Sequence, residues 1–100
     1  MAVRTRQTGV VNGKSTSVLL YRRTWQEELE RVHSLSDREI DVFRLLGDGE
    51  SNRSIASRLS VTERTVKAHV AGILTKLRVE SRLQAGLVSY AWIESLKTSM

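Results

Sequence analysis

Residues 52–71 read NRSIASRLSVTERTVKAHVA, and this stretch contains two helical patterns separated by a short break. In the first pattern the apolar side chains share one face of a helix: Ile55, Ala56 and Leu59. Ser51 or Asn52 caps this helix, residues 60–61 make the turn, and the hydroxyl of Thr62 caps the next helix. Two short helices joined by such a turn predict a helix-turn-helix motif.

The second helix of the motif, expected at about residues 63–77, carries a continuous apolar stripe: Val66, Val70, Ile73, Leu74 and Leu77. The opposite arc is small and polar: Arg64, Ala68, Ala71, Gly72 and Thr75, with Lys67 on one border and Thr65, His69 and Lys76 toward the other. Small residues let a helix approach DNA closely, and basic residues beside them reach phosphates. The major groove is about 12 Å wide and admits one α-helix, so this arc predicts a DNA-reading surface.

Further helices are expected on both sides of the motif. SDRE at residues 36–39 is a capping box that starts a helix, and Gly47-Asp48-Gly49 ends it. The apolar face of that helix comprises Ile40, Phe43, Leu45 and Leu46. SRLQ at residues 81–84 is another potential capping box, which opens a last helix to about Leu96. Four helices without a convincing sheet predict an all-α fold.

The chain is expected to hold one domain, at residues 35–96, after an N-terminal arm at residues 1–34. The first 15 residues are basic and poor in large apolar side chains, which predicts a mobile arm. Ser17 to Tyr21 could form a short strand, although no second strand is evident to pair with it. Thr24 caps a short helix at about residues 24–33 with one apolar stripe: Trp25, Leu29 and Val32.

The charge balance favours a polyanionic partner. The chain has 16 Lys and Arg against 11 Asp and Glu, a formal charge of +5, which also suits a merely soluble basic protein. The distribution is more informative, because residues 63–82 are basic and the helix before the motif is acidic. The basic stretch contains Arg64, Lys67, Lys76, Arg78 and Arg82 against Glu63 and Glu80. Such segregation predicts a positive side that binds double-stranded DNA.

Several function classes are not expected. The chain has no cysteine, and His33 and His69 are far apart, so neither a metal site nor a cofactor is predicted. No paired carboxylates, nucleophile with a base, or glycine-rich phosphate loop occur at useful spacing, which argues against an enzyme. No signal peptide or run of roughly 20 apolar residues is present, so no membrane contact is expected. The default location is cytoplasmic, on the nucleoid when DNA is bound.

The motifs LSDRE, SNRSIASRL, TERTVKAHV and KLRVESRLQA follow one another between Leu35 and Ile93. Together they resemble the C-terminal DNA-binding domain of the LuxR family of bacterial transcription regulators, also seen in response regulators of the NarL and FixJ type. The resemblance covers roughly two thirds of the chain. It implies a four-helix domain whose third helix reads DNA and whose fourth helix helps to form a dimer.

The resemblance also assigns site residues. It places Lys67, Ala68 and Ala71 toward bases, and Arg64 joins this base-facing set from the same exposed arc. It places the following residues near phosphates: Asn52, Arg53, Thr65, His69 and Lys76. Ala71 departs from many relatives, which carry a polar or basic side chain there, so base reading rests more on Lys67, thymine methyl contacts and DNA shape. Gly72 is a second oddity, because glycine costs roughly 1 kcal/mol of helix propensity relative to alanine.

The last helix has more apolar surface than one core face requires: Leu83, Leu87, Val88, Ala91, Trp92, Ile93 and Leu96. A homodimer on DNA is the simplest partner for a second face, with these contacts: Leu87, Val88, Ala91 and Trp92. The alternative is that Trp25, Leu29 and Val32 cover the face within one chain.

A second function class uses the same fold to grip RNA polymerase or another regulator, as region 4 of sigma factors does. A sigma factor needs a promoter-melting region, and the 34 residues before the domain are too few to hold one. They are also too few for a receiver or ligand-sensing domain. The chain is therefore expected to be either a stand-alone regulator or a fragment of a longer one.

Overall fold

A computed structural model of the chain describes residues 25–98, and every regular element in that range is helical. We number the α-helices in chain order: α1 at residues 25–31, α2 at Asp37–Gly47, α3 at Asn52–Leu59, α4 at Glu63–Leu77 and α5 at Arg82–Thr98, with a short 3₁₀ helix at Val32–Ser34 after α1. The predicted all-α fold class is confirmed. The basic arm, the candidate strand at residues 17–21 and the Thr24 cap lie outside the described residues.

Helix α2 starts at the predicted capping box. The Glu39 amide donates to Ser36 Oγ at 3.2 Å, and the Ser36 amide donates back to Glu39 Oε1 at 2.9 Å. The helix ends at Gly47, after which Gly49 takes a φ of +80° and its amide bonds to the Leu46 carbonyl at 3.0 Å. A left-handed glycine at this point turns the chain away from α2 and toward α3.

Hydroxyl caps also start α3 and α4. Ser51, rather than Asn52, caps α3, because its Oγ accepts the Ser54 amide at 3.1 Å. Thr62 caps α4 by accepting the Thr65 amide at 3.0 Å. Between these helices Ser60 takes a left-handed φ of 58°, which reverses the chain within two residues of the α4 cap. The predicted helix-turn-helix therefore has its turn at Ser60.

The capping box predicted for α5 differs in one partner. The Gln84 amide donates to Ser81 Oγ at 3.2 Å, as expected. The Gln84 side chain, however, accepts the Glu80 amide at 2.7 Å rather than that of Ser81. The hydroxyl half of the box is thus present, and the glutamine satisfies an amide one residue earlier in the chain.

The core lies between the helices, with α2 packed on α4 and α5, and α3 packed on α4. Its largest fully buried apolar side chains are Val42, Phe43, Ile55, Val66, Ile73, Leu77 and Val88. Trp25 and Leu29 of α1 pack against this cluster, and Val32 belongs to it. The helix that the sequence places in the N-terminal arm is thus part of the same folded unit. Within residues 25–98, no helix is long and apolar enough to cross a membrane.

Candidate nucleic-acid interface

The N-terminal half of α4 presents a free face. Helix α4 is fastened to the core by Val66, Ile73 and Leu77, which are all fully buried. The four residues predicted to face bases lie on the other side and are exposed: Arg64, Lys67, Ala68 and Ala71. Burial of one stripe turns the opposite arc outward, as the 3.6-residue period requires. Contact of these residues with bases stays a prediction.

Three basic side chains around this face have no acidic partner. No ion pair within residues 25–98 involves Arg53, Arg64 or Lys67. All three are exposed, Arg53 near the start of α3 and the other two in the first turns of α4. Exposed cations without an acidic partner are what phosphate neutralisation requires.

Lys76, which the sequence places near phosphates, is instead engaged inside the protein. Its Nζ lies 2.7 Å from Glu39 Oε1, and the Glu39 carboxylate is nearly buried between α2 and α4. Burial raises the pKa of Glu39, but the hydrogen bonds from Lys76 and from the Ser36 amide outweigh it and hold the pKa below its ordinary 4.5. Lys76 is therefore removed from the set of free cations, because its ammonium serves as the partner of a buried carboxylate.

The Glu39 carboxylate also explains why residue 72 is a glycine. A Cβ on Gly72 would lie 2.7 Å from Glu39 Oε2, closer than nonbonded atoms approach. The glycine that weakens α4 on propensity grounds thus lets the Glu39 carboxylate lie against the helix, one turn before Lys76. The unusual glycine is visible in the sequence, but its cause is not, because Glu39 and Lys76 are 37 positions apart along the chain.

The remaining residues predicted near phosphates are partly enclosed. Asn52, Thr65 and His69 are half-buried. Thr65 accepts a hydrogen bond from the Thr62 hydroxyl at 3.0 Å, so its own hydroxyl hydrogen stays available. Asn52 Oδ1 accepts a hydrogen bond from Arg82 Nη1, a contact across 30 residues that the sequence did not indicate.

The predicted dimer residues of α5 divide between two environments. Val88 is fully buried in the core, so its assignment as a dimer contact is wrong. Trp92 is half-buried with its ring 5.7 Å from that of Phe43, and Ala91 is also half-buried. Of the four, only Leu87 is classed as exposed, at 39%.

The exposed apolar face of α5 lies elsewhere. Leu83 is 72% exposed and Tyr90 is 61% exposed, and together with Leu87 they are spaced four and three residues apart along one side of the helix. They flank an open groove of about 470 Å³ between α5 and the loop after α2. The sequence places Leu83 in the apolar surface of this helix but not among the dimer contacts, and it leaves Tyr90 out of both, although the spacing of the two residues carried the signal. Helix α1 does not cover this apolar stripe, which remains open in the described part of the chain.

Comparisons with known proteins agree on one family. A sequence model of bacterial regulatory proteins of the LuxR family matches residues 33–89. The chain is 38% identical over 84 residues to the nitrate/nitrite response regulator protein homolog of Haemophilus influenzae, covering 84% of this chain and 39% of that protein. It is 40% identical over 75 residues to the response regulator protein VraR of Staphylococcus aureus, covering 75% and 35% respectively. The chain thus spans less than half the length of these curated relatives.

Proposed function

Because this chain belongs to the LuxR family of bacterial regulatory proteins, we propose that it is a sequence-specific DNA-binding module of a transcription regulator whose α4 enters the major groove. The membership confirms the predicted family. It also assigns the chain to regulatory proteins rather than enzymes, as the sequence indicates.

One observation carries the proposal: the exposed arc of α4 combines unpaired cations with small residues. Ala68 and Ala71 let the helix backbone approach the base edges, while Lys67 is long enough to reach a guanine acceptor. Arg53 is free to neutralise a phosphate beside this arc, and Arg64 adds a cation without an acidic partner in residues 25–98 to the base-facing set. No observation in residues 25–98 favours the alternative of a module that only grips RNA polymerase, so that contact is not part of the proposal.

The decisive experiment pairs Lys67→Ala with Lys97→Ala, which removes the same charge from an exposed lysine near the end of α5. A duplex selected from random oligonucleotides serves as the probe, and fluorescence anisotropy measures binding. Lys67→Ala is expected to weaken specific binding by roughly 1 to 3 kcal/mol, or about 5- to 150-fold, and Lys97→Ala to leave it unchanged. Unchanged affinity and sequence preference in Lys67→Ala would remove Lys67 from base reading.

The same duplex tests the electrostatic part of the proposal. The logarithm of the binding constant should fall by about 0.9 per neutralised phosphate for each decade of salt. With Arg53 on a phosphate, the slope should therefore be at least about 0.9 in magnitude per protomer. A binding constant independent of salt would contradict DNA binding by this surface.

We further propose that two copies bind adjacent half-sites and touch through the stripe of Leu83, Leu87 and Tyr90. Two crossed helices bury less than the roughly 1,200 Å² of a stable complex, so free chains should associate weakly. DNA holds two protomers at high effective concentration, and the weak contact then shows as cooperativity. The support is the exposed apolar stripe itself, for which no described residue provides cover.

Leu83→Glu tests this contact, because a side chain with 72% exposure can be replaced at little cost to the fold. The variant should lose cooperativity on a full site and keep its affinity for a half-site, with unchanged circular dichroism. Gln26→Glu adds the same charge to the exposed side of α1 and should keep the cooperativity. Cooperative filling by a folded Leu83→Glu variant would rule out this stripe as the dimer contact.

A further inference from the structure

The first residue of α5 reaches back to the start of the helix-turn-helix. Arg82 Nη1 donates to Asn52 Oδ1, and its Nη2 donates to the backbone carbonyl of Glu50 at 2.6 Å. Both acceptors lie at the entry to α3, about 30 residues earlier in the chain. Arg82 is half-buried, so these bonds form where water competes weakly.

The contact fixes which way the Asn52 amide points. A guanidinium group has only donors, so it can face only the oxygen end of an asparagine amide. The Nδ2 group must then point away from Arg82, with two hydrogens to donate. Among residues 25–98, no atom accepts a hydrogen bond from Asn52 Nδ2. The donor end of the amide thus points away from Arg82 and stays free to bind an acceptor outside the described residues.

The charge of Arg82 strengthens this donor. The nearby carboxylate of Glu50 is occupied by Arg58, whose Nε and Nη2 lie 3.2 Å and 3.3 Å from its two oxygens, and by the Ser54 hydroxyl. The hydrogen bond from the Ser54 hydroxyl, and next to it that from Arg58, hold the pKa of Glu50 below its ordinary value, so the Glu50 carboxylate stays ionised at neutral pH. Arg82 forms no ion pair in the described part of the chain. Its positive charge therefore polarises the Asn52 amide and makes Nδ2 a better donor to an anion.

We propose that Arg82 is a positioning residue that orients the Asn52 amide so that Nδ2 donates to a DNA phosphate. The inference rests on the proposed DNA binding and gives the two residues different roles. Asn52 contacts the phosphate, and Arg82 acts only by orienting Asn52. If Arg82 bound the phosphate itself, its contribution to DNA affinity would not depend on Asn52. Whether it does depend on Asn52 can be measured.

A double-mutant cycle on the selected duplex makes that measurement. Asn52→Ala and Arg82→Met should each weaken binding by about tenfold, the scale of one hydrogen bond to a charged group. The double variant should bind no more weakly than either single variant, because both remove the same contact. Losses that multiply in the double variant would show that Arg82 acts independently of Asn52, and would overturn the proposal.

A second measurement separates positioning from a merely structural role. In the free protein, the two side-chain amide proton resonances of Asn52 should be shifted from those of a free asparagine, and Arg82→Met should move them toward the free values. Arg38→Met, which removes an exposed arginine of α2, should leave them in place. Resonances unchanged by Arg82→Met would overturn the proposal.

Asn52→Asp gives a test that does not depend on Arg82→Met folding. Aspartate keeps an acceptor for Arg82 but replaces the amide donor with a charged oxygen, so it should weaken binding more than Asn52→Ala. Equal or tighter binding by Asn52→Asp would count against the donor role. The affinity of Lys67→Ala is measured beside these variants. If Lys67→Ala binds more weakly and the losses of Asn52→Ala and Arg82→Met multiply in the double variant, only the positioning role of Arg82 is rejected. If binding does not depend on salt and Lys67→Ala leaves it unchanged, the DNA interface as a whole is rejected.

Discussion

The two halves of α4 differ in how far their side chains are engaged with the rest of the protein. Residues 63–71 carry five exposed side chains that face away from the core, with Val66 as their fully buried anchor. Residues 72–77 carry two fully buried side chains, Ile73 and Leu77, and the lysine paired with Glu39. The Leu77 carbonyl at the end of the helix also accepts a hydrogen bond from Arg31 Nη1 at 3.2 Å.

The difference between the halves indicates how a short helix can present a surface. A helix that enters a groove must have one end exposed to the solvent. The contacts that its other end makes with the protein core set its direction. The C-terminal half of α4 is held by its own buried side chains, by the ion pair with Glu39 of α2 and by the hydrogen bond from the Arg31 side chain of α1. We therefore expect substitutions of the buried residues and of Lys76 within residues 72–77 to alter stability, and substitutions of the exposed residues within 63–71 to alter DNA binding alone.

The largest effect on stability should follow from shortening a buried side chain within residues 72–77. Ile73→Ala is expected to lower the free energy of unfolding by about 2 to 5 kcal/mol, because Ile73 is fully buried and its loss leaves a cavity. Thr75→Ala, at an exposed position of the same half, should change it by less than about 0.5 kcal/mol. Urea denaturation followed by circular dichroism measures both. Equal stabilities would mean that residues 72–77 do not anchor the helix.

A smaller effect should follow from removing the ion pair. Because the pKa of Glu39 is lowered in the folded state, its ionised form stabilises the protein above the ordinary glutamate pKa of 4.5. This contribution is lost as the pH falls below 4.5 through the folded pKa. Glu39→Gln should lower stability at pH 7 by about 1 to 2 kcal/mol and flatten the acid limb of the stability curve.

Glu94→Gln is the matched control for that change, because Glu94 is an exposed carboxylate paired with Lys97 on α5. Its stability curve between pH 3 and 7 should stay close to that of the unmodified chain. A Glu39→Gln variant that retains the full acid limb would show that another carboxylate governs it, and the ion pair would not be part of the anchor.

The smallest effect on stability should come from the free half. Ala71→Lys adds a cation to an exposed position and should change the free energy of unfolding by less than about 0.5 kcal/mol. In DNA titrations the salt slope should steepen by about 0.9 if the new lysine reaches a phosphate. A marked fall in thermal stability would mean that Ala71 packs within the protein, which would make the two halves less distinct than proposed.

Local features of this fold were predictable, because their partners lie three residues apart. The caps at Ser36 and Thr62 follow from side chains that bond to their own turn, and the end of α2 follows from a left-handed glycine whose amide bonds to the Leu46 carbonyl. The choice between Ser51 and Asn52 was open on sequence, since either side chain can cap a helix. Only the structure shows that Ser51 caps α3 while Asn52 turns to Arg82.

The rest depended on contacts between distant residues. Nothing in the sequence pairs Glu39 with Lys76. Lys76 was therefore predicted to lie near phosphates, although its ammonium is bound to a buried carboxylate. Periodicity on α5 showed two apolar faces but not which one meets the core, and Val88 was assigned to the wrong face for that reason. The exposed arc of α4 was predictable because its opposite stripe is continuous, whereas its contact with bases stays a prediction.

The turn of the helix-turn-helix holds a left-handed serine where glycine would be easiest to accommodate. Ser60 has a φ of 58°, and the Val61 amide beyond it bonds back to the Ala56 carbonyl at 3.0 Å. A residue with a Cβ visits fewer conformations than glycine, both when unfolded and when the turn fluctuates. The angle between α3 and α4 is therefore preorganised, and little conformational entropy is left to lose when the two helices meet DNA.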